Sequence, residues 1–245
     1  MPELVLVTGG TRGLGLALCR DLRQAGYRVI ATGRKRTPDL DALIDAPPSP
    51  AGGTVVFETL DLSRLDDLHT RITTLVRTHG ALYGLVNNAA IAHDGVLATM
   101  HEREIQELIQ VNVTGTIMLT KYAIRPMLAQ GAGRVVNISS IIASTGFNGL
   151  SVYAATKAAL LGFTRSLARE LGKARITVNA VLPGYMQTDM SAGLDGEKLQ
   201  AITRRSPLGT LVGVEDVARA TRFFLSPEAR LITGTTLTVD AGSTC

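Results

Sequence analysis

Cysteine is scarce: Cys19 and Cys245 are the only two in 245 residues, and they make no metal-ligand spacing. One falls in a predicted helix and the other is the last residue, so neither a disulfide framework nor a structural zinc site is expected. Two lone thiols fit a reducing cytoplasm. No apolar run reaches the roughly 20 residues that a membrane span needs. The first predicted strand has no basic leader or small-residue cleavage site before it, so no signal peptide is expected. Aromatics are 4% of residues, and no basic run is interleaved with them, which argues against nucleic-acid binding. The formal charge of +4 is spread along the chain. It suits an anionic cofactor or carrier, and equally suits solubility alone. Internal repeats are absent.

What is present is strand–helix alternation. With 45% hydrophobic residues the chain can bury a sizeable core. Predicted strands cover residues 4–8, 28–32, 55–60, 84–88, 134–139, 176–182 and 236–239. Predicted helices cover 14–25, 65–78, 102–129, 152–171 and 214–225. Strands that are apolar throughout, such as Leu4-Val5-Leu6-Val7, are buried on both faces of a parallel sheet. The expected architecture is α/β: a doubly wound Rossmann-type layer formed by one domain over residues 1–245. Two segments break the rhythm. Residues 35–53, with Pro38, Pro47, Pro48 and Pro50, are long for a connection, and 40–45 suggest a short helix within them. Residues 186–211 follow a strand end, where ligands bind in open α/β sheets. They are a candidate lid or an ordinary helical insertion.

Thr8-Gly9-Gly10-Thr11-Arg12-Gly13-Leu14-Gly15 follows the first strand and opens the first helix. Glycines there let the backbone turn tightly and approach a pyrophosphate seated on the helix N-terminus. The spacing Gly9-x3-Gly13-x-Gly15 departs from the common G-x-G-x-x-G pattern. The second strand ends Thr32-Gly33-Arg34-Lys35-Arg36, with no carboxylate to bond a ribose 2′-hydroxyl. A guanidinium fork binds a 2′-phosphate bidentately, so Arg34, with Arg12 opposite, points to NADP(H). Asp61, followed by Leu62, either accepts a bond from the adenine amine or caps the helix beginning near Ser63. In Asn87-Asn88-Ala89-Ala90, small residues let a cofactor lie against the backbone.

Tyr153-Ala154-Ala155-Thr156-Lys157 places a phenol and an ammonium one helical turn apart. A phenol titrating near 10 is a poor acid or base at neutral pH, and a neighbouring cation is expected to lower that value. Ser139-Ser140 ends a strand 13 residues before Tyr153, counted from Ser140. Asn112 is a polar amide among core-like neighbours, where it must be paired and can hold a proton-relaying water. Pro183-Gly184 follows the sixth strand and offers an edge for the nicotinamide carboxamide. No metal site is expected.

These motifs together resemble the short-chain dehydrogenase/reductase family over nearly the whole chain, through to Ile232-Thr233-Gly234. The resemblance implies a seven-stranded parallel sheet in order 3-2-1-4-5-6-7, three α/β/α layers and a homotetramer. It implies that Tyr153 is the general acid/base, that Ser140 polarises the carbonyl and that Asn112 anchors the relay water. Lys157 would bind the ribose and lower the pKa of Tyr153. Dinucleotide contacts are implied for Gly9, Thr11, Arg12, Gly13, Leu14 and Gly15 in the first turn, and for Arg34, Asp61 and Leu62. Asn88, Ala89, Tyr153, Lys157, Pro183, Gly184, Met186 and Thr188 complete that set.

Within the family the chain looks most like 3-oxoacyl-acyl-carrier-protein reductases, which reduce a 3-oxoacyl thioester in fatty acid biosynthesis. It departs from them at Ala90, where glycine is usual, and at Gly131 and Ala174, where the carrier-docking cations are expected. The acyl group's bearer, acyl carrier protein, coenzyme A or neither, stays open. The alternatives are an alcohol or sugar dehydrogenase and a non-catalytic NADP(H)-sensing protein.

Overall fold

Leu4–Val7, apolar at every position, forms β1 and is buried on both sides between β2 (Arg28–Gly33) and β4 (Gly84–Asn87). The computed structural model describes residues 2–186, 200 and 203–245. With β3 (Thr54–Thr59), β5 (Gly133–Ile138), β6 (Ile176–Pro183) and β7 (Thr236–Val239), these strands make one parallel sheet. The order is β3-β2-β1-β4-β5-β6-β7, as the resemblance implies. The inner strands β5 and β6 are buried at every residue, whereas the edge strands β3 and β7 are largely half-buried.

Because successive side chains point to opposite faces, the sheet divides the core into two layers. Val5 and Val7 pack on one face with Leu18 and Leu22 of α1 (Gly13–Gln24), Leu40 of α2 (Pro38–Asp45) and Phe224 of α8 (Val214–Leu225). Leu4 and Leu6 pack on the other. Their partners there are Ile72 of α3 (Leu68–His79), Leu119 and Met127 of α5 (Thr116–Gln130), and Leu167 of α7 (Ser151–Leu171). Each fully buried leucine contributes about 2–3 kcal/mol relative to exposure. No described helix is long and apolar enough to cross a membrane.

Three local departures from the sequence expectations bear on function. The helix in the long connection begins at Pro38, because Thr37 caps it: its hydroxyl oxygen accepts from Leu40 N at 3.4 Å. The same hydroxyl donates to Thr11 O at 2.6 Å, tying this connection to the glycine-rich turn. The helix expected over 102–129 is divided into α4 (Glu102–Ile109), a π-helical turn (Gln110–Gly115) and α5. Such turns interrupt the regular carbonyl ladder, and this one contains Asn112. The stretch 141–150, which lies between the predicted strand 134–139 and the predicted helix 152–171, holds the short helix α6 (Ile142–Thr145).

A polar stitch crosses the layer between sheet and helices. Asn137 Nδ2 donates to Thr164 Oγ1 at 2.8 Å, and Asn137 Oδ1 accepts from Asn87 Nδ2 at 2.8 Å. Asn87 Nδ2 also donates to Thr120 Oγ1 at 2.9 Å. The stitch joins β4 and β5 to α5 and α7, and so fixes the strand ends that carry the crevice. Asn137→Ala should lower stability by about 2–4 kcal/mol, since it strands a buried amide and leaves a cavity. Urea unfolding would read this as a lower midpoint at unchanged slope. A midpoint within error of the parent would show that the stitch contributes nothing.

Candidate active site

The carboxyl ends of β1 and β4 meet where the strand order reverses, and the crevice opens there. Thr8, at the end of β1, clamps the two ends together. Its hydroxyl oxygen accepts from the Asn88 and Ala89 amides, each at 2.9 Å, while Asn88 Nδ2 donates to Thr8 O at 2.9 Å and to Gly9 O at 3.2 Å. This pins Asn88 and Ala89 against the glycine-rich turn. Sequence reasoning does not single out Thr8, because a threonine before glycines carries no signal of its own.

The turn has no room for side chains. A Cβ on Gly15 would lie 1.8 Å from Gly9 O, and Gly9 and Gly13 have φ of +64° and +51°. That cradle of bare backbone, opening the N-terminus of α1, fits a pyrophosphate. Arg12 precedes the helix as its N-cap, and Leu14 is buried in the core beneath. Arg34 is exposed beyond β2 and lines a cavity with Asp61. Asp61 Oδ1 accepts from Ser63 N at 2.9 Å and Ser63 Oγ at 2.8 Å, which closes a local turn; the helical turn that follows begins at Leu65 with Arg64 before it, so the expected capping role of Asp61 is corrected. Leu62 is buried, and its carbonyl would stand 2.5 Å from a Cβ on Gly115 of the π turn.

Across the crevice, Ser139 and Ser140 differ sharply. Ser139 Oγ donates to Lys157 O at 2.8 Å and is spent on structure, while Ser140 Oγ accepts only a long 3.3 Å bond from Ile142 N. Ser140 is therefore the serine whose hydroxyl can still donate to a ligand. Asn112 is buried, and its amide holds Ile91 at both ends: Oδ1 accepts from Ile91 N, and Nδ2 donates to Ile91 O, each at 2.9 Å. Nδ2 reaches Thr156 Oγ1 as well, at 3.2 Å. Both amide hydrogens are therefore committed to protein. Thr156, which links Asn112 to α7 and donates to Tyr153 O at 2.7 Å, is a second residue that sequence reasoning misses.

Pro183 accepts from Ile141 N at 3.1 Å, and Gly184 lies so close to β7 that a Cβ would fall 2.7 Å from Asp240 Cα. Met186 packs half-buried against the core. Thr188 and most of the candidate lid lie outside the described residues.

Residues 9–244 match the family model described as enoyl-(acyl carrier protein) reductase, a model of the short-chain dehydrogenase/reductases. The chain belongs to the short-chain dehydrogenase/reductase family. Like its family it is an NAD(P)-dependent oxidoreductase acting on CH–OH or keto groups. Among its relatives, the 3-oxoacyl-acyl-carrier-protein reductase FabG of Haemophilus influenzae is 36% identical, with 98% of this chain and 97% of the relative covered. Carbonyl reductase family member 4 of Xenopus tropicalis is also 36% identical, over 99% and 98%. The crystal structure of a single-substitution variant of actinorhodin polyketide ketoreductase with NADPH superposes with a TM-score of 0.91 at 31% identity, covering 99% of this chain and 97% of that one.

In this dehydrogenase/reductase the Tyr153–Lys157 pair departs from the sequence expectation. Burial pushes the phenol up to about 12 and the ammonium down to about 8. Lys157 Nζ donates to Ile138 O at 2.9 Å and stands 5.7 Å from the centroid of the Tyr153 ring. The cation therefore lies over the ring face with a main-chain partner, and desolvation outweighs its attraction for the phenolate. The protein alone keeps Tyr153 protonated at neutral pH.

A lysine depressed from 10.5 to about 8 burdens the fold while it is charged. The burden is complete below pH 8, shrinks between pH 8 and 10.5, and vanishes above that range. Lys157→Met should therefore be stabilised at pH 7 by about 1–2 kcal/mol, after allowing for the lost bond to Ile138. The gain should fade as pH rises toward 10. Chemical denaturation of both proteins at several pH values would check it; a variant less stable at pH 7 would contradict this account of the buried charge.

Proposed function

We propose that this protein reduces a ketone to a secondary alcohol with NADPH, and that its substrate is a 3-oxoacyl thioester carried by acyl carrier protein or coenzyme A. The observation that carries the reading is that Ser140, its hydroxyl still able to donate, follows β5 at the point where Lys157 of α7 bonds Ile138 O and lies over the ring of a protonated Tyr153. The relatives named for 3-oxoacyl-acyl-carrier-protein reduction and the NADPH-bound ketoreductase neighbour support it.

Gly9, Gly13, Gly15 and the α1 N-terminus would hold the pyrophosphate, and Arg12 and Arg34 the adenosine phosphate. Asp61, Leu62, Asn88, Ala89 and the Pro183–Met186 edge would flank the rest. The bound dinucleotide supplies a hydride to the carbonyl carbon. Ser140 and Tyr153 hydrogen-bond the carbonyl oxygen and stabilise the charge that develops there. Tyr153 then gives up its proton to that oxygen. Lys157, titrating near 8, stabilises the phenolate left behind and can relay the replacement proton. The π turn around Asn112 holds the far wall. A cytoplasmic homotetramer is the form proposed for the enzyme.

Tyr153→Phe should lower kcat for acetoacetyl-CoA by about 10³-fold or more while NADPH affinity changes less than about twofold. Stopped-flow binding and steady-state assays test both halves, and turnover near the parent rate would refute the acid assignment. Arg34→Asp should raise KM for NADPH by about tenfold or more and lower that for NADH. Unchanged constants for both cofactors would contradict the NADP(H) reading.

A further inference from the structure

Beyond β2 and β3 a cavity of about 230 Å³ is walled by three arginines, Arg34, Arg64 and Arg71, and by Asp61 and Asp67. The acids around it each have a partner of their own. Asp67 pairs with Arg64 at 3.1 Å, Asp61 Oδ1 is taken by Ser63, and Glu58, which shares a second cavity with Arg71, pairs with His79 at 2.7 Å. Among the described residues, Arg34 and Arg71 have neither a hydrogen bond nor an ion pair. Two unpartnered guanidinium groups, from different elements, face one half-open concavity. With Arg64 and Asp67 paired to each other, Arg34 and Arg71 face Asp61 alone, so the concavity carries net positive charge, and such a cleft concentrates anions. A phosphate monoester carries close to two negative charges and enough acceptor oxygens to serve two forks at once.

We infer that Arg71, on α3, is a specificity-determining residue that joins Arg34 in binding the 2′-phosphate of the dinucleotide's adenosine. This rests on the NADPH reading above and adds to it a helix that the second-strand turn gives no hint of. Asp61 and Arg34, which read the adenosine end, line the same cavity as Arg71, so the third cation lies beside the nucleotide's phosphorylated edge. The exposed position of Arg71 means that its replacement leaves the core untouched.

The test is calorimetric titration of the full chain with adenosine 2′,5′-bisphosphate and, separately, adenosine 5′-monophosphate. Arg71→Gln should weaken the bisphosphate about tenfold and leave the monophosphate unchanged. Arg71→Lys should recover part of the loss, and the difference should shrink at high salt. If Arg71→Gln binds both ligands as the parent does, or loses both equally, the inference is overturned. A parent that prefers the bisphosphate, with Arg34→Gln losing that preference and Arg71→Gln keeping it, overturns Arg71 alone. A parent with no preference between the two ligands overturns the NADPH reading and the inference together.

Discussion

The buried ammonium of Lys157 constrains everything around it. A cation in an apolar interior needs a partner, and the partner here is a main-chain carbonyl at the end of β5, Ile138 O. That bond can form only if α7 lies directly over the carboxyl end of β5, and Ser139 closes the same junction from the other side by donating to Lys157 O. With helix and strand locked together, Ser140 and Tyr153 have no freedom to drift apart. The charge thus fixes Ser140 and Tyr153 relative to each other, as the proposed mechanism requires. A methionine in its place would fill the same space and lose that register.

The opposite wall of the crevice is built from backbone. Thr8 binds the β1 and β4 ends into one unit, and the glycines beside it remove every side chain that would keep a pyrophosphate at a distance. The π turn links the two walls. Asn112 grips Ile91 after β4 and reaches Thr156 on α7, while Gln110 Nε2 donates to Ser63 O at 2.7 Å beyond β3. One interrupted helix therefore touches the segments after β3 and β4 and the helix α7 together.

The sheet order is readable in the sequence because apolar strands and amphipathic helices alternate without ambiguity, and because the motifs carry a family resemblance. Ser140, Tyr153 and Lys157 are readable from spacing and resemblance. Thr8 and Thr156 are not, since a threonine whose work is to accept or donate one main-chain bond looks like any other threonine. The π turn escapes the pattern because its six residues, Gln110–Gly115, are too few to establish a period of their own inside a longer helical run. The electrostatics escape it for a different reason. Sequence gives the distance between phenol and ammonium along the helix, but the sign of the net effect depends on how dry the site is. Only the fold sets that.

Features that cost stability gather along one edge of the molecule. The positive-φ glycines of the first turn, the π turn, the buried ammonium and the two unpartnered arginines all sit at the carboxyl ends of the strands, while the opposite faces of the same helices are ordinary leucine and valine packing. A fold free to optimise each position would neutralise Lys157 and fill the glycine cradle. That these liabilities are neighbours, each relieved by a group of complementary chemistry, gives the crevice its physical meaning. An anion would relieve the arginines and the helix N-terminus, and under the proposed mechanism a phenolate at Tyr153 would give the ammonium a charged partner beside its main-chain one, Ile138 O.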